Sequence, residues 1–334
     1  MNSRRVIGFY YLWVIPGEKM KRWAEKKDRR SFNPLELDQA DLAYSTELIT
    51  REILIALGFS PGGLMRRILE PVVRVPARRF SNIAVQFDQH IKEEGFPAAC
   101  WKILPHFIKG VEIKRPVEPP SQGALLLASN HPGVIDALIL AGALERRDLK
   151  IIASGIPFMR AFPNAARSLI YASLDMGDRM RVVREAIKHL RQGGALVLLP
   201  SGRIDPDPLF MPGAEEALNS WSSSIGIFAR SVPGLQIVLA AVGGVLSPGS
   251  LKTPLSIFGN TRMEKQRIAE FVQVIRQMIF PDSISLVPRV HFSDPFPAAS
   301  TRGKTAEEIT REIIYRARAL MQSAFYFKGS HSKL

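Results

Sequence analysis

A chain of 334 residues with 46% hydrophobic and 23% charged side chains is globular in composition. It is long enough for one large α/β domain with an appendage, or for two modest domains. A net charge of +14 implies an anionic partner, without choosing between nucleic acid, an anionic membrane surface and an acidic carrier protein. The single cysteine, Cys100, excludes an internal disulfide and a cysteine-based zinc site and fits a reducing cytoplasmic compartment.

Residues 1–33 form an N-terminal arm in which Phe9, Tyr10, Tyr11, Trp13 and Trp23 accompany nine basic and three acidic residues among the first thirty. Rings and cations together suit the headgroup region of a membrane, which points to peripheral association; a loosely ordered basic tail is the alternative. Arg4-Arg5 before Val6 to Ile15 has the outline of a signal peptide, but Lys19, Lys21 and Arg22 follow in place of a small-residue cleavage site. No apolar run reaches the roughly 18 residues of a transmembrane helix.

Asn33-Pro34 is a capped helix start, Leu42, Ile49, Ile53 and Leu57 mark one face, and Ser60-Pro61-Gly62-Gly63 ends it. Helical patterns continue through Leu64 to Val75 and Asn82 to Glu94, so residues 34–110 read as a small helical domain. His90 and His106 are surface or packing residues there. Val111 to Lys114 is a short strand, Pro116 to Ser121 a linker, and an α/β domain spans residues 111–330.

Within it, the apolar run Ala124 to Ala128 ends in Ser129-Asn130-His131-Pro132-Gly133, after which apolar residues resume at helical spacing. The pattern is strand, turn, helix. On one helix, His131 and Asp136 would sit about 140° apart. Pro132 pushes the residue before it out of the helical region, so His131 belongs to the turn and Asp136 to the first turns of the helix. From there a carboxylate reaches one ring nitrogen and leaves the other free as a base. A polar turn that merely caps the helix is the alternative.

Strands follow at Leu149 to Ala153 and Ser168 to Ser173, then a helix from Asp178 to Gln192 and an apolar strand from Ala195 to Leu199. A helix is expected over Ala214 to Ala229, a buried strand over Gln236 to Val242, and a helix whose apolar face holds Ile268, Phe271, Val272, Ile275 and Ile279. Ile284, Leu286, Val290 and Phe292 alternate as a strand that Pro288 assigns to a sheet edge, with His291 on its outer face. Thr305 and Glu308 make a capping box for the last helix. The expected fold is α/β: a mostly parallel central sheet flanked by helices, with the N-terminal helical domain ahead of it.

The strand ending at Leu199 runs into Pro200-Ser201-Gly202-Arg203-Ile204-Asp205-Pro206-Asp207-Pro208. Both this loop and the His131 turn follow parallel strands, which places them at the carboxyl edge where such sheets bind ligands. Arg203 can then hold a phosphate while a hydroxyl sits near His131. An arginine paired to Asp205 or Asp207 is the alternative.

Asn130-His131, four residues and Asp136 resemble the NHxxxxD motif of the PlsC-type glycerolipid acyltransferases. In that family a Pro-Glu-Gly-Thr-Arg block follows at about the distance of Pro200-Ser201-Gly202-Arg203 here, after a helix, a Gly-Gly turn and a strand. The loop is closer still to that of the soluble plastid-type glycerol-3-phosphate acyltransferases, Pro-Ser-Gly-Gly-Arg-Asp-Arg-Pro-Asp-Pro. This chain is one residue shorter, with Ile204-Asp205 where a second arginine is expected. Ile156-Pro157-Phe158 resembles the family's middle block, although Ser173 stands where an arginine often closes the next strand; Arg160, Arg167 and Arg179 lie nearby. Val290 to Pro295 is similar to its last strand.

The resemblance, over residues 111–296, implies acyl transfer from acyl-CoA or acyl carrier protein to glycerol 3-phosphate or a lysophospholipid. It makes His131 the general base, Asp136 its orienting carboxylate, and Ser201, Gly202, Arg203, Arg160 and Arg179 the phosphate contacts. Backbone N–H groups at Gly133 would face the oxyanion. Lysophosphatidate or other lysolipid acylation, a thioesterase using the same pair, and a non-enzymatic peripheral membrane protein are the rival readings. The sequence holds no metal cluster, no GxSxG elbow and no nucleic-acid motif, so no metal, no cofactor beyond the thioester co-substrate and no nucleic-acid partner are expected.

Overall fold

The computed structural model describes residues 41–56, 64–154, 159, 161–172, 176–259, 261–298 and 303–326. The aromatic arm, the Asn33-Pro34 start, the Ser60 to Gly63 stop, Ile156-Pro157-Phe158 and Ser173 lie outside them.

Two helices open the described chain, α1 (Leu42–Ala56) and α2 (Leu64–Glu94), followed by α3 (Phe96–Ile103) and the short strand β1 (Glu112–Lys114). The two helical stretches read from sequence are one helix, because residues 76–81 continue it through Pro71 and Pro76. Each proline removes a helical hydrogen bond, and packing of buried Val73 and Ala77 against Ile49, Ile53 and Leu54 of α1 holds the helix together there.

The remaining elements alternate. They are β2 (Leu125–Ser129), α4 (Ile135–Leu144), β3 (Leu149–Ser154), α5 (Pro163–Arg167), β4 (Leu169–Ala172), α6 (Met176–Arg191) and β5 (Ala195–Leu198). Then come α7 (Ala214–Ala217), α8 (Ser224–Ser231), β6 (Gln236–Gly243), α9 (Pro248–Leu251) and α10 (Arg262–Ile279). The chain closes with β7 (Arg289–Phe292), β8 (Phe296–Pro297) and α11 (Ala306–Met321). The sheet order is β1-β7-β6-β2-β5-β3-β4, with β8 also paired to β6. All pairs from β6 to β4 are parallel, β1 is parallel to β7, and β7 and β8 run antiparallel to β6. This is the mostly parallel, helix-flanked α/β sheet that the sequence implies.

Alternation along the central strands divides the core in two. Leu125, Leu127, Ala195, Val197, Val238 and Ala240 pack on one face with α3 and α4. Leu126, Ala128, Leu196, Leu198, Ile237 and Leu239 pack on the other with α6, α8 and α11. Because Phe96, Cys100 and Leu104 share the first cluster, the end of the helical segment packs into the same core as the sheet.

Two expectations are corrected. The helix expected over Ala214 to Ala229 is broken: Trp221 is extended, and the N–H of Ser222 donates to Pro200 O (3.0 Å), so the serine run makes a turn and restarts a helix at Ser224. The strand around Pro288 is interior, lying between β1 and β6, and it begins only at Arg289. Pro288 therefore precedes the strand, where its missing N–H costs no ladder bond, and its carbonyl accepts from Glu112 N–H (2.9 Å).

Opposite the carboxyl edge, Arg146 ties the sheet together. Only 3% exposed, its guanidinium donates to Pro120 O (3.0 Å), Gly123 O (3.0 Å), Gly193 O (2.8 Å) and the Asp148 carboxylate (2.6 and 2.8 Å). The carbonyls belong to the entries of β2 and β5. Arg146→Ala should lower unfolding free energy by about 2–4 kcal/mol, since orphaned carbonyls stay out of water. Arg146→Lys should recover only part, because an ammonium lacks the fork. Urea unfolding midpoints check both; an unchanged midpoint in the alanine variant rejects the clamp.

Candidate functional site

Strand β2 delivers its turn to the middle of the carboxyl edge, flanked by β5 and β6. The Asn130 side chain fixes where the strand ends, bonding both Val242 O and Val242 N at 2.8 Å. His131 follows, and its Nδ1 lies 3.0 and 2.9 Å from the two carboxylate oxygens of Asp136 at the start of α4. A carboxylate only accepts, so the neutral ring carries its proton on Nδ1 and presents a lone pair at Nε2. Nε2 takes no hydrogen bond among the described residues, and the side chain keeps 12% of its surface accessible.

The turn itself is held by three carboxylates. His131 N–H donates to Asp205 Oδ2 (3.0 Å), and Gly133 N–H donates to Asp136 Oδ2 (3.1 Å). Val134 N–H donates to Glu270 Oε1, while Pro132 has no N–H to satisfy. The His131 carbonyl accepts in return from Asp205 N–H (2.7 Å). All three carboxylates are buried: Asp136 is 0%, Asp205 1% and Glu270 8% exposed. Gly133 leaves room for the Glu270 contact, since a Cβ there would lie 2.6 Å from Glu270 Oε1 and 3.0 Å from Val245 Cγ2 and would displace the Glu270 carboxylate.

The His131–Asp205 exchange brings the two loops together. Asp205 stands two residues after Arg203, and the loop is pinned again at Asp207, whose carboxylate accepts from Gly244, Val245 and Leu209 N–H at 2.9–3.0 Å. The two aspartates thus hold backbone; the half-buried Arg203 acts on Asp205 through its charge but closes no ion pair with a described residue. Gly202 takes a positive φ of 61° at the bend. The Ser201 hydroxyl donates to Arg203 O (2.8 Å) and shapes the loop from within.

Arg160 lies outside the described residues, and Arg179 sits in the first turns of α6 with its side chain outside them. Arg167, at the end of α5, is exposed. Gly133 departs from its expected role: its N–H is already directed at Asp136, so an oxyanion placed there would face a carboxylate.

Electrostatics follow from this crowding. Burial alone would lower the His131 pKa, but the charge and hydrogen bond of Asp136, with the charges of Asp205 and Glu270, carry it up to about 9. Burial raises Glu270 to about 7 and Asp205 to about 6, against the opposing pull of their N–H donors and of His131.

Glu270 and Gln266 escaped the sequence reading, which took from α10 only its apolar face. Gln266 donates to Pro132 O (3.0 Å) and Asp205 O (2.7 Å), touching both loops. The available signal was a set of polar residues, Gln266, Glu270, Gln273 and Gln277, at helical spacing on a helix otherwise read as amphipathic. Further along α10, Phe271, Val274 and Met278 line an apolar cleft with Ile49, Ile53 and Phe80.

Among the described residues, His90, Glu93 and Glu94 form one group with ligand-type atoms within 4.8 Å, but Lys102 pairs with Glu94 and makes this a charged helix surface. His291, partly exposed, packs its ring 5.6 Å from that of Phe325.

Residues 110–238 match the family model described as Acyltransferase. The match takes in β2, the His131 turn, β5 and the Arg203 loop, and ends inside β6; α10 lies beyond it. The chain is also similar to the crystal structure of the 1-acyl-sn-glycerophosphate acyltransferase PlsC from Thermotoga maritima. Identity there is 13%, with a TM-score of 0.38, covering 86% of this chain and 96% of that one. No curated protein matches the chain.

His131, Asp205 and Glu270 all favour the protonated protein, because their pKa values in the fold are raised. The stability each adds is full below its ordinary value and is lost as pH climbs through its raised one. Between about 7 and about 9 only His131 of the three is still releasing its proton. The thermal midpoint should therefore fall more steeply over this range in the wild type than in His131→Gln. Equal slopes would show that the imidazole is not held in its charged form.

Proposed function

We propose that the chain is a glycerolipid O-acyltransferase. It moves a fatty acyl group from a thioester of coenzyme A or acyl carrier protein to the hydroxyl of glycerol 3-phosphate or a lysophospholipid. The observation that carries this reading is the His131–Asp136 pair, 2.9 Å apart, on a loop locked to the Arg203 loop within a span matching the Acyltransferase model.

In the proposed reaction His131 Nε2 removes the hydroxyl proton as the alcohol oxygen attacks the thioester carbonyl. The tetrahedral intermediate then expels the thiolate, which takes the proton back from His131, so one C–O bond replaces one C–S bond. Asp136 keeps the ring in the reactive tautomer and stabilises the imidazolium. Arg203 is the phosphate contact of the proposal, free of an ion pair within the described residues and able to form a forked bond.

Peripheral association with an anionic lipid surface is part of the same reading. It is supported by Ile68, Val72 and Val75, 58, 67 and 53% exposed on α2 beside exposed Arg67, Arg74 and Arg78. Among the described residues no helix is long and apolar enough to cross a membrane.

Purified protein should esterify glycerol 3-phosphate or a lysophospholipid from acyl-CoA or acylated carrier protein, with kcat/KM rising toward pH about 9 as His131 becomes a free base. His131→Ala should reduce transfer by about 10²- to 10⁴-fold with the fold retained. Arg203→Ala should raise the KM for a phosphorylated acceptor more than it lowers kcat. Fatty acid released without any ester, in the presence of every acceptor, would make the protein a thioesterase; full turnover by His131→Ala would remove the proposed base.

A further inference from the structure

Helix α10 presents four buried polar side chains, and each holds the backbone of a segment elsewhere in the fold. Gln266 holds Pro132 and Asp205, Glu270 holds Val134, Gln273 holds Val245 O (3.0 Å) and Ser247 N (2.8 Å), and Gln277 holds Phe107 O (2.6 Å). Three of the four are glutamines. A glutamine at 270 could accept the Val134 N–H equally well, because its amide oxygen is a competent acceptor. What glutamate adds at this position is a negative charge, 8% exposed, beside the imidazole.

We propose that Glu270 is a positioning residue for His131, fixing its turn through the Val134 N–H and tuning its proton affinity as the third buried carboxylate that holds the turn. The groups whose charge acts on His131 are Asp136 from α4, which also bonds its ring, Asp205 from the Arg203 loop and Glu270 from α10. Those that face Glu270 are His131, Asp136 and the partly buried Arg267, one turn back on its own helix. Arg267 leaves its Nε unpartnered among the described residues, and its charge opposes that of Glu270.

Two consequences separate. Losing the acceptor frees the turn, and a displaced base loses rate. Losing only the charge leaves the turn in place but makes the imidazolium less stable, so His131 releases its proton at lower pH.

The full-length protein is compared with Glu270→Gln and Glu270→Ala. His131 is titrated by NMR in the wild type and Glu270→Gln, its signal assigned from the His131→Ala spectrum. The titration should move to lower pH in Glu270→Gln while the thermal midpoint stays near that of the wild type. In acyl-transfer kinetics, which alone rest on the reading proposed above, Glu270→Ala should lose about 10²-fold in kcat with little change in acceptor KM. Glu270→Gln should recover most of that loss and shift the acid limb of kcat/KM to lower pH. An unmoved His131 titration in Glu270→Gln, or a wild-type kcat in Glu270→Ala, overturns the proposal. Should Glu270→Ala not fold, the titration of Glu270→Gln decides alone. A wild-type protein that transfers no acyl group defeats the acyltransferase reading and leaves the titration to judge Glu270.

Discussion

A carboxylate taken out of water costs several kcal/mol unless hydrogen bonds or an opposite charge replace its hydration. A buried N–H left without an acceptor is costly for the same reason. The turn after β2 meets both demands almost completely, leaving only Asp205 Oδ1 without a hydrogen-bond partner among the described residues. Its three N–H groups, at His131, Gly133 and Val134, are satisfied by Asp205, Asp136 and Glu270 respectively. Each carboxylate comes from a different element, so the loop after β5, the start of α4 and the middle of α10 must all be in register for the turn to form. The site is consequently a point where the fold is over-determined, which is what a reactive side chain requires if it is to be held within a fraction of an ångström.

How much of this was legible follows from the range of each interaction. The His131–Asp136 pair spans five residues, and Pro132 between them is a local instruction, so strand, turn, helix and pair could be read together. The carboxyl-edge location of the Arg203 loop came from strand order alone, since consecutive apolar strands with intervening helices are parallel. Asp205 was visible only as a neighbour of Arg203, and its partner turned out to be the backbone of His131, 74 residues away. Nothing in a local pattern announces a bond of that separation. Glu270 is 136 residues from Val134, on a helix whose apolar stripe explains its burial well enough to hide the polar one.

The misread elements share a cause. Ala214 to Ala229 has helical composition, yet the N–H of Ser222 is claimed by Pro200 at the start of the Arg203 loop, so a tertiary bond overrides a weak propensity. Pro288 was read as the mark of an edge strand, and what it cannot signal is the neighbour gained just beyond it, where β1 pairs with Arg289 to His291. In both places the sequence supplied the right local tendency, and a remote segment decided the outcome.

The same carboxylates that satisfy the turn also work against the base chemistry proposed for His131. Each one facing the imidazole stabilises its charged form, and a base already protonated cannot take a proton from an alcohol. The fold limits that conflict by burial, which holds Glu270 and Asp205 at about 7 and about 6, so that near neutral pH part of the negative charge around His131 is itself neutralised. The proton affinity of His131 thus depends on the charge its neighbours carry. The balance between holding the turn and freeing the base is set by how many of the three acceptors carry charge. Asp136 accepts from both the ring Nδ1 and the Gly133 N–H. Asp205 is the acceptor in a two-way exchange with the backbone of His131. Glu270 alone makes a contact that a neutral amide could make, so at position 270 charge and anchorage are separable.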